Sequence, residues 1–183
     1  MKNENNYFKF FGMIATAMVA MYFLMYTNSY QIIDHFWFSE TRLFMTFIMA
    51  GSMIIIMLLF MLNMYKKRSV NFTVILLGIL LIAGGIGLVR TQVTVTGVDY
   101  MEGMIPHHSI AILTSDRAQI KDVRVRKLAD EIIKAQRREI MEMQWLINDI
   151  RKNGLVETED EMKNRSLPKF EGSLEKETRN LTE

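Results

Sequence analysis

Two adjacent imidazoles and two thioethers fall close together in the stretch YMEGMIPHHS: Met101, Met104, His107 and His108. The chain has no cysteine, so a soft metal ligand in it has to be a methionine sulfur. On an α-helix Met101, Met104 and His108 lie at i, i+3 and i+7 and share one face, with His107 turned toward the flank. Thioethers select Cu(I), and by the same softness Ag(I), while imidazole suits copper and zinc. Ligation needs the neutral imidazole, which an ordinary histidine largely is near neutral pH. Further along, Gln136, Glu139 and Met143 repeat the same spacing on a face that also carries Ile132, Ile133 and Ile140. A glutamine and a glutamate on a packed face are costly unless they find partners. Facing histidines would supply them, either by co-ligation or by hydrogen bonds that fix the imidazole tautomer. The ligand set expected is Met101, Met104, His107, His108, Glu139 and Met143, backed by Gln136 and Glu102. The competing expectation is a helical interaction or oligomerisation module in which the histidines are structural and cap the helix or pair with Glu102 and Glu139.

The elements that would position these groups are a pair of helices. Asp99 and Glu102 have the spacing of a capping box, and Pro106 either bends that helix or starts a shorter one over 107–118. Asp122 is a plausible N-cap for a longer helix over 123–152. Its apolar positions, Leu128, Ile132, Ala135 or Gln136, Ile140, Met143 and Ile147, recur every three or four residues. Asn153-Gly154 ends it. Two antiparallel helices form an incomplete bundle. A partner is therefore expected for the hairpin: the membrane half, the tail, or a second copy. The polar tail over 154–183 reads as mostly mobile.

Upstream, residues 10–33, 43–65 and 69–89 carry no charged side chain, and each is long enough for a helix to cross about 30 Å of hydrocarbon. The first is too long for a signal peptide and is followed by two more spans. Lys66, Lys67 and Arg68 form a basic hairpin that argues for the cytoplasmic side. The N-terminus is then cytoplasmic and the C-terminal part periplasmic or extracellular, on a bacterial inner membrane. The domains expected are a membrane domain over 1–90, an extended linker over 91–98, a helical domain over 99–153 and the tail. Gly84, Gly85 and Gly87, with Ala83, suggest a face for close helix approach. Asn71-Phe-Thr73 and Asn180-Leu-Thr182 match glycosylation sequons, but the first lies inside a span. Ahead of residue 99 there are 7 basic against 3 acidic residues, and from 99 onward 15 against 17. The outer part therefore lacks the basic footprint of a nucleic-acid binder.

Ten of the 16 methionines fall in the first two spans. Met45, Met49, Met53, Met57 and Met61 recur every four residues, a line that winds slowly around a helix. Methionine also fills irregular gaps in apolar cores. The alternative is a thioether ladder that passes or senses a soft ion, with His35 at its mouth.

The two-part motif YMEGMIPHHSIAI and LADEIIKAQRREIMEMQWL resembles family 305 of the bacterial domains of unknown function. Met101, Met104, Ile105, Pro106, His107, His108, Ala111, Ile112, Ala129, Ile132, Ile133, Gln136, Glu139, Ile140 and Met143 carry the resemblance. It implies a ferritin-like helical fold and, for some members, periplasmic copper or silver binding, often in metal resistance. Many relatives have a methionine shortly after the Ala-Ile pair, whereas this chain has Leu113 and Thr114. The expected protein is all-α: three transmembrane helices, then an extracytoplasmic two-helix, ferritin-like hairpin and a polar tail. Its partners would be the bilayer, a metal ion (Cu(I) or Cu(II), or silver) and a second copy or helical partner, and no nucleic acid. The function expected is metal tolerance, storage or delivery rather than catalysis, because the motif lacks the further ligands that copper oxidases recruit.

Overall fold

Once an apolar stretch leaves water, its backbone N–H and C=O groups must bond within the segment, and the α-helix is how a single stretch does so. The computed structural model describes residues 2–174, and the chain is all-helical across them. Its helices are α1 (Lys2–Leu24), α2 (Glu40–Phe60), α3 (Arg68–Thr91), α4 (Gly97–Arg117), α5 (Val123–Asn153) and the short α6 (Glu159–Asn164). Three segments are long and apolar enough to cross a membrane: Asn6–Leu24, Glu40–Phe60 and Arg68–Thr91. Two compact units result. One contains α1 to α3; the other contains α4, α5 and the tail together with the α1–α2 connection, Asn28–Phe38.

The first span is shorter than its uncharged stretch suggests. Helix α1 stops at Leu24 rather than near residue 33, because its last carbonyls find partners outside the helix. Thr27 Oγ1 donates to Leu24 O at 2.7 Å and Arg42 Nη1 to Met25 O at 2.8 Å. The Arg42 guanidinium also lies over the Tyr26 ring, 4.3 Å from its centroid. Helix α2 then starts at an N-cap, Ser39, whose hydroxyl accepts the Arg42 N–H. Helix α3 runs to Thr91 and ends in a left-handed residue, Gln92. The extended linker expected over 91–98 is thus a tight turn, held by Thr41 Oγ1 donating to Gln92 and Thr94 Oγ1 to Glu40.

Helices α2 and α3 approach closely at glycines other than most of those the sequence suggests. A Cβ on Gly51 would sit 2.5 Å from the Gly78 carbonyl oxygen, and one on Gly85 2.7 Å from Ile48 Cγ1. Gly84 and Gly87 face open space. Tyr7, Phe10 and Ile14 of α1 pack with Ile54, Leu58, Tyr65 and Val74. Asn71 is buried here, accepting from Tyr7 Oη at 2.7 Å and donating to Tyr65 O at 2.7 Å. It is therefore a structural residue rather than a modification site, and the second sequon, Asn180–Thr182, lies outside the described residues. Met18, Met53, Met57 and Met61 pack against this same cluster, whereas Met45 is exposed and Met49 half-buried.

In the second unit, Asp122 caps α5 by accepting the Arg124 N–H at 2.9 Å, and Gly154 ends it with φ 81°. Helix α4 begins at Gly97, so Pro106 lies inside it. The packed seam joins Met101, Ile105 and Ile112 to Ile133, Ile140 and Ile147. The buried stripe of α5 differs from the expected one only at its N-terminal end, where Ala129 is buried and Leu128 exposed; Ile133, Ile140 and Ile147 are buried on the expected face. Isoleucines seven apart form the narrow stripe that a facing helix covers.

The tail also differs from expectation. Arg165 pairs with Asp149 and donates to Asn153 O and Gly154 O, Arg137 donates to Ser173 O, and Gly172 presses on the Lys134 carbonyl. From 165 to 172 an extended chain covers about 23 Å, matching about 22 Å of helix from 149 back to 134. Residues 165–172 therefore lie along α5 as a strap.

The α2–α3 packing has a direct test. Gly51→Ala is expected to lower stability by about 1–3 kcal/mol, because a backbone carbonyl blocks the methyl, whereas Gly84→Ala leaves it unchanged or slightly higher. Thermal unfolding of both variants in detergent micelles checks this.

Candidate metal centre

Helical geometry separates the two adjacent histidines by roughly 100°. His107 is exposed, and its ring centroid lies 6.2 Å from that of His108, with the planes at 70°. Only His108 turns toward α5. Its Nδ1 lies 3.0 Å from Glu139 Oε2, yet the approach is oblique and this buried nitrogen makes no well-formed hydrogen bond. The other carboxylate oxygen faces Arg138, whose Nη2 is 3.8 Å away. Arg138 also reaches Glu142 at 3.5 Å.

Each remaining expected residue has a definite place. Met101 is buried in the isoleucine seam and Met143 packs against it. Met104, one turn before His108, is half-buried, as is Gln136, three residues before Glu139. Glu102 does not stand behind the histidines: it is buried and pairs with Arg151 near the far end of α5. His35 does not stand at the mouth of a methionine ladder either. It belongs to the hairpin unit, where its Nδ1 shares a 2.8 Å hydrogen bond with Ser109 Oγ. The same hydroxyl accepts the Tyr30 N–H at 2.7 Å. Ser109 is wholly buried and lies beside His108 in the chain. Sequence reasoning passed over it, although a serine on the 101, 105, 112 seam signals a buried hydroxyl in need of a partner. Its partner, His35, is 74 residues away, and no local pattern reveals that.

Among the described residues no three His, Cys, Asp or Glu side chains gather at one point. The fit to a metal rests instead on one under-bonded buried imidazole nitrogen, one carboxylate and thioethers a turn away on each helix. A carboxylate against Nδ1 is the usual orienting partner of a metal-binding histidine and leaves Nε2 as the donor atom. Burial holds the His108 pKa below its ordinary 6.5; Glu139 opposes this and neighbouring His107 adds to it. The neutral, ligand-competent form is thus favoured.

These features define a class: an all-helical chain in which three membrane-length helices precede a helical hairpin with a His–Glu contact among methionines. Residues 97–180 match the model of a domain of unknown function (DUF305). The chain is also similar to an uncharacterized protein of Acanthamoeba polyphaga mimivirus, 32% identical over 108 residues, 58% of this chain and 69% of that protein. The chain belongs to the DUF305 family. No solved structure matches it.

The histidine's burial makes stability depend on pH. Because the folded pKa is depressed, the unfolded chain takes up a proton at higher pH than the folded one. The stability contributed by neutral His108 is therefore lost as pH falls below about 6.5 toward the folded value. Thermal midpoints of the full chain in micelles at about pH 7.5 and about pH 5.5 should differ, and His108→Gln should reduce that difference. An unaltered pH dependence in the variant would show that His108 does not set it.

Proposed function

We propose that the chain is a membrane-anchored metal-binding protein whose hairpin holds a soft ion, Cu(I) or Ag(I), on the extracytoplasmic side for tolerance, storage or delivery. The observation that carries this reading is the half-buried His108, with Nδ1 against Glu139 and no well-formed hydrogen bond. Glu139, steadied by Arg138, orients the ring so that Nε2 is presented. Met104 and Met143, one turn from His108 and Glu139 on their own helices, are the sulfur donors within reach, with Met101 behind them in the seam. Soft monovalent ions accept few ligands and favour sulfur, which suits a site where no three hard donors converge. Zn(II) and Cu(II) would require more nitrogen or oxygen than one hairpin offers. His107, exposed on the flank, is a capture residue at most. In a bacterial cell the basic Lys66–Arg68 turn would face the cytoplasm, leaving the hairpin outside the inner membrane.

Titration of the purified full chain in micelles with Ag(I), Cu(I) and Zn(II) tests this. Saturable uptake of the two soft ions, with little of Zn(II), is expected. His108→Ala should abolish uptake, Glu139→Gln should weaken it about 10–100-fold, and His107→Ala should change it only a few-fold. No saturable uptake of either soft ion would favour the helical interaction module instead.

A further inference from the structure

The α1–α2 connection, Asn28–Phe38, faces two ways. On one side Ser29 and His35 are buried, and Tyr30 and Trp37 pack against the isoleucine seam. That side is held to the hairpin by the Tyr30 and His35 bonds to Ser109 and by Arg137 and Arg151 over the Tyr30 and Trp37 rings, at 5.7 and 5.8 Å. On the other side Ile32, Ile33, Phe36 and Phe38 are 51%, 82%, 46% and 55% exposed. Such a concentration of large apolar side chains on a short connection marks an interaction surface. The connection starts just past Leu24, where one membrane-length helix ends, and stops at Ser39, the N-cap of the next. Both its ends are therefore tied to helices of membrane length, so the nearest apolar medium for its outward face is lipid.

We propose that Ile32, Ile33, Phe36 and Phe38 insert into the bilayer interface, at the boundary between headgroups and acyl chains, while the opposite face of the connection clamps α4 through Ser109. The depth is limited on two counts. The connection is irregular, and irregular backbone exposed to lipid is excluded from the hydrocarbon centre. Asp34, exposed between Ile33 and His35, keeps its carboxylate among headgroups. Lipid contact at this face does not depend on metal binding.

The absence of cysteine makes a labelling test clean. The full chain carrying Ile33→Cys or Phe36→Cys, each with a nitroxide label, is reconstituted in vesicles of phosphatidylcholine and phosphatidylglycerol. Power-saturation spectra are recorded with oxygen, which partitions into lipid, and with a nickel chelate, which stays in water. Asn148→Cys on the exposed side of α5 and Leu80→Cys, 60% exposed on α3, give the water and lipid references. Labels at 33 and 36 should show oxygen-to-nickel accessibility ratios several-fold above that at 148, approaching that at 80. Ratios equal to that at 148 would overturn the proposal, as would shielding from both reagents, which would mean that a protein partner covers the face. Since 33 and 36 are both exposed and are labelled separately, a folding defect in one variant leaves the other as the test.

Discussion

The isoleucine seam between α4 and α5 has more apolar edge than two helices can seal, and much of the second unit follows from that. Two antiparallel helices cover only one face of each other. Here the α1–α2 connection closes one flank with Tyr30 and Trp37, and the tail runs back along α5 as a strap. The polar joint of the first closure is Ser109. A wholly buried hydroxyl is costly unless bonded, and both of its partners come from the connection. The seam needs the connection for apolar cover, and Ser109 needs it for hydrogen bonds. A segment that joins two membrane-length helices is thereby part of the hairpin's own core.

Much of this architecture was legible in the sequence because it rests on local physics. Uncharged stretches, the Asp122 cap and the Asn153-Gly154 stop gave the helices. The boundaries that differed were decided over distance. Arg42 and Thr27 end α1 early by bonding its last carbonyls, and Thr41 and Glu40 gather the expected linker into a turn. The glycines at the α2–α3 contact could not be told from open ones, since facing Gly51 depends on register rather than composition. Likewise the strap depends on Arg165 meeting Asp149 and on Gly172 fitting against Lys134, pairings that no periodicity announces.

The candidate centre was legible in its parts but not in its division of labour. Spacing placed His108, Glu139, Met104 and Met143 on facing surfaces. It turned His108 onto the shared face and His107 toward the flank but counted both as ligands, and it gave Glu102 a role that Arg151 takes away. In the centre we propose, Glu139 orients the ring rather than serving as a ligand. The proposed centre is a small, sulfur-leaning donor set beside a half-buried imidazole, chemistry that would suit a soft monovalent ion better than a hard one.

X-ray absorption at the copper edge of the Cu(I)-loaded full chain measures that donor set most directly. One nitrogen scatterer with one or two sulfur scatterers is expected, the nitrogen disappearing in His108→Ala and persisting in His107→Ala. A coordination sphere of nitrogen and oxygen alone, or a spectrum unchanged by His108→Ala, would contradict a soft-ion centre built on His108.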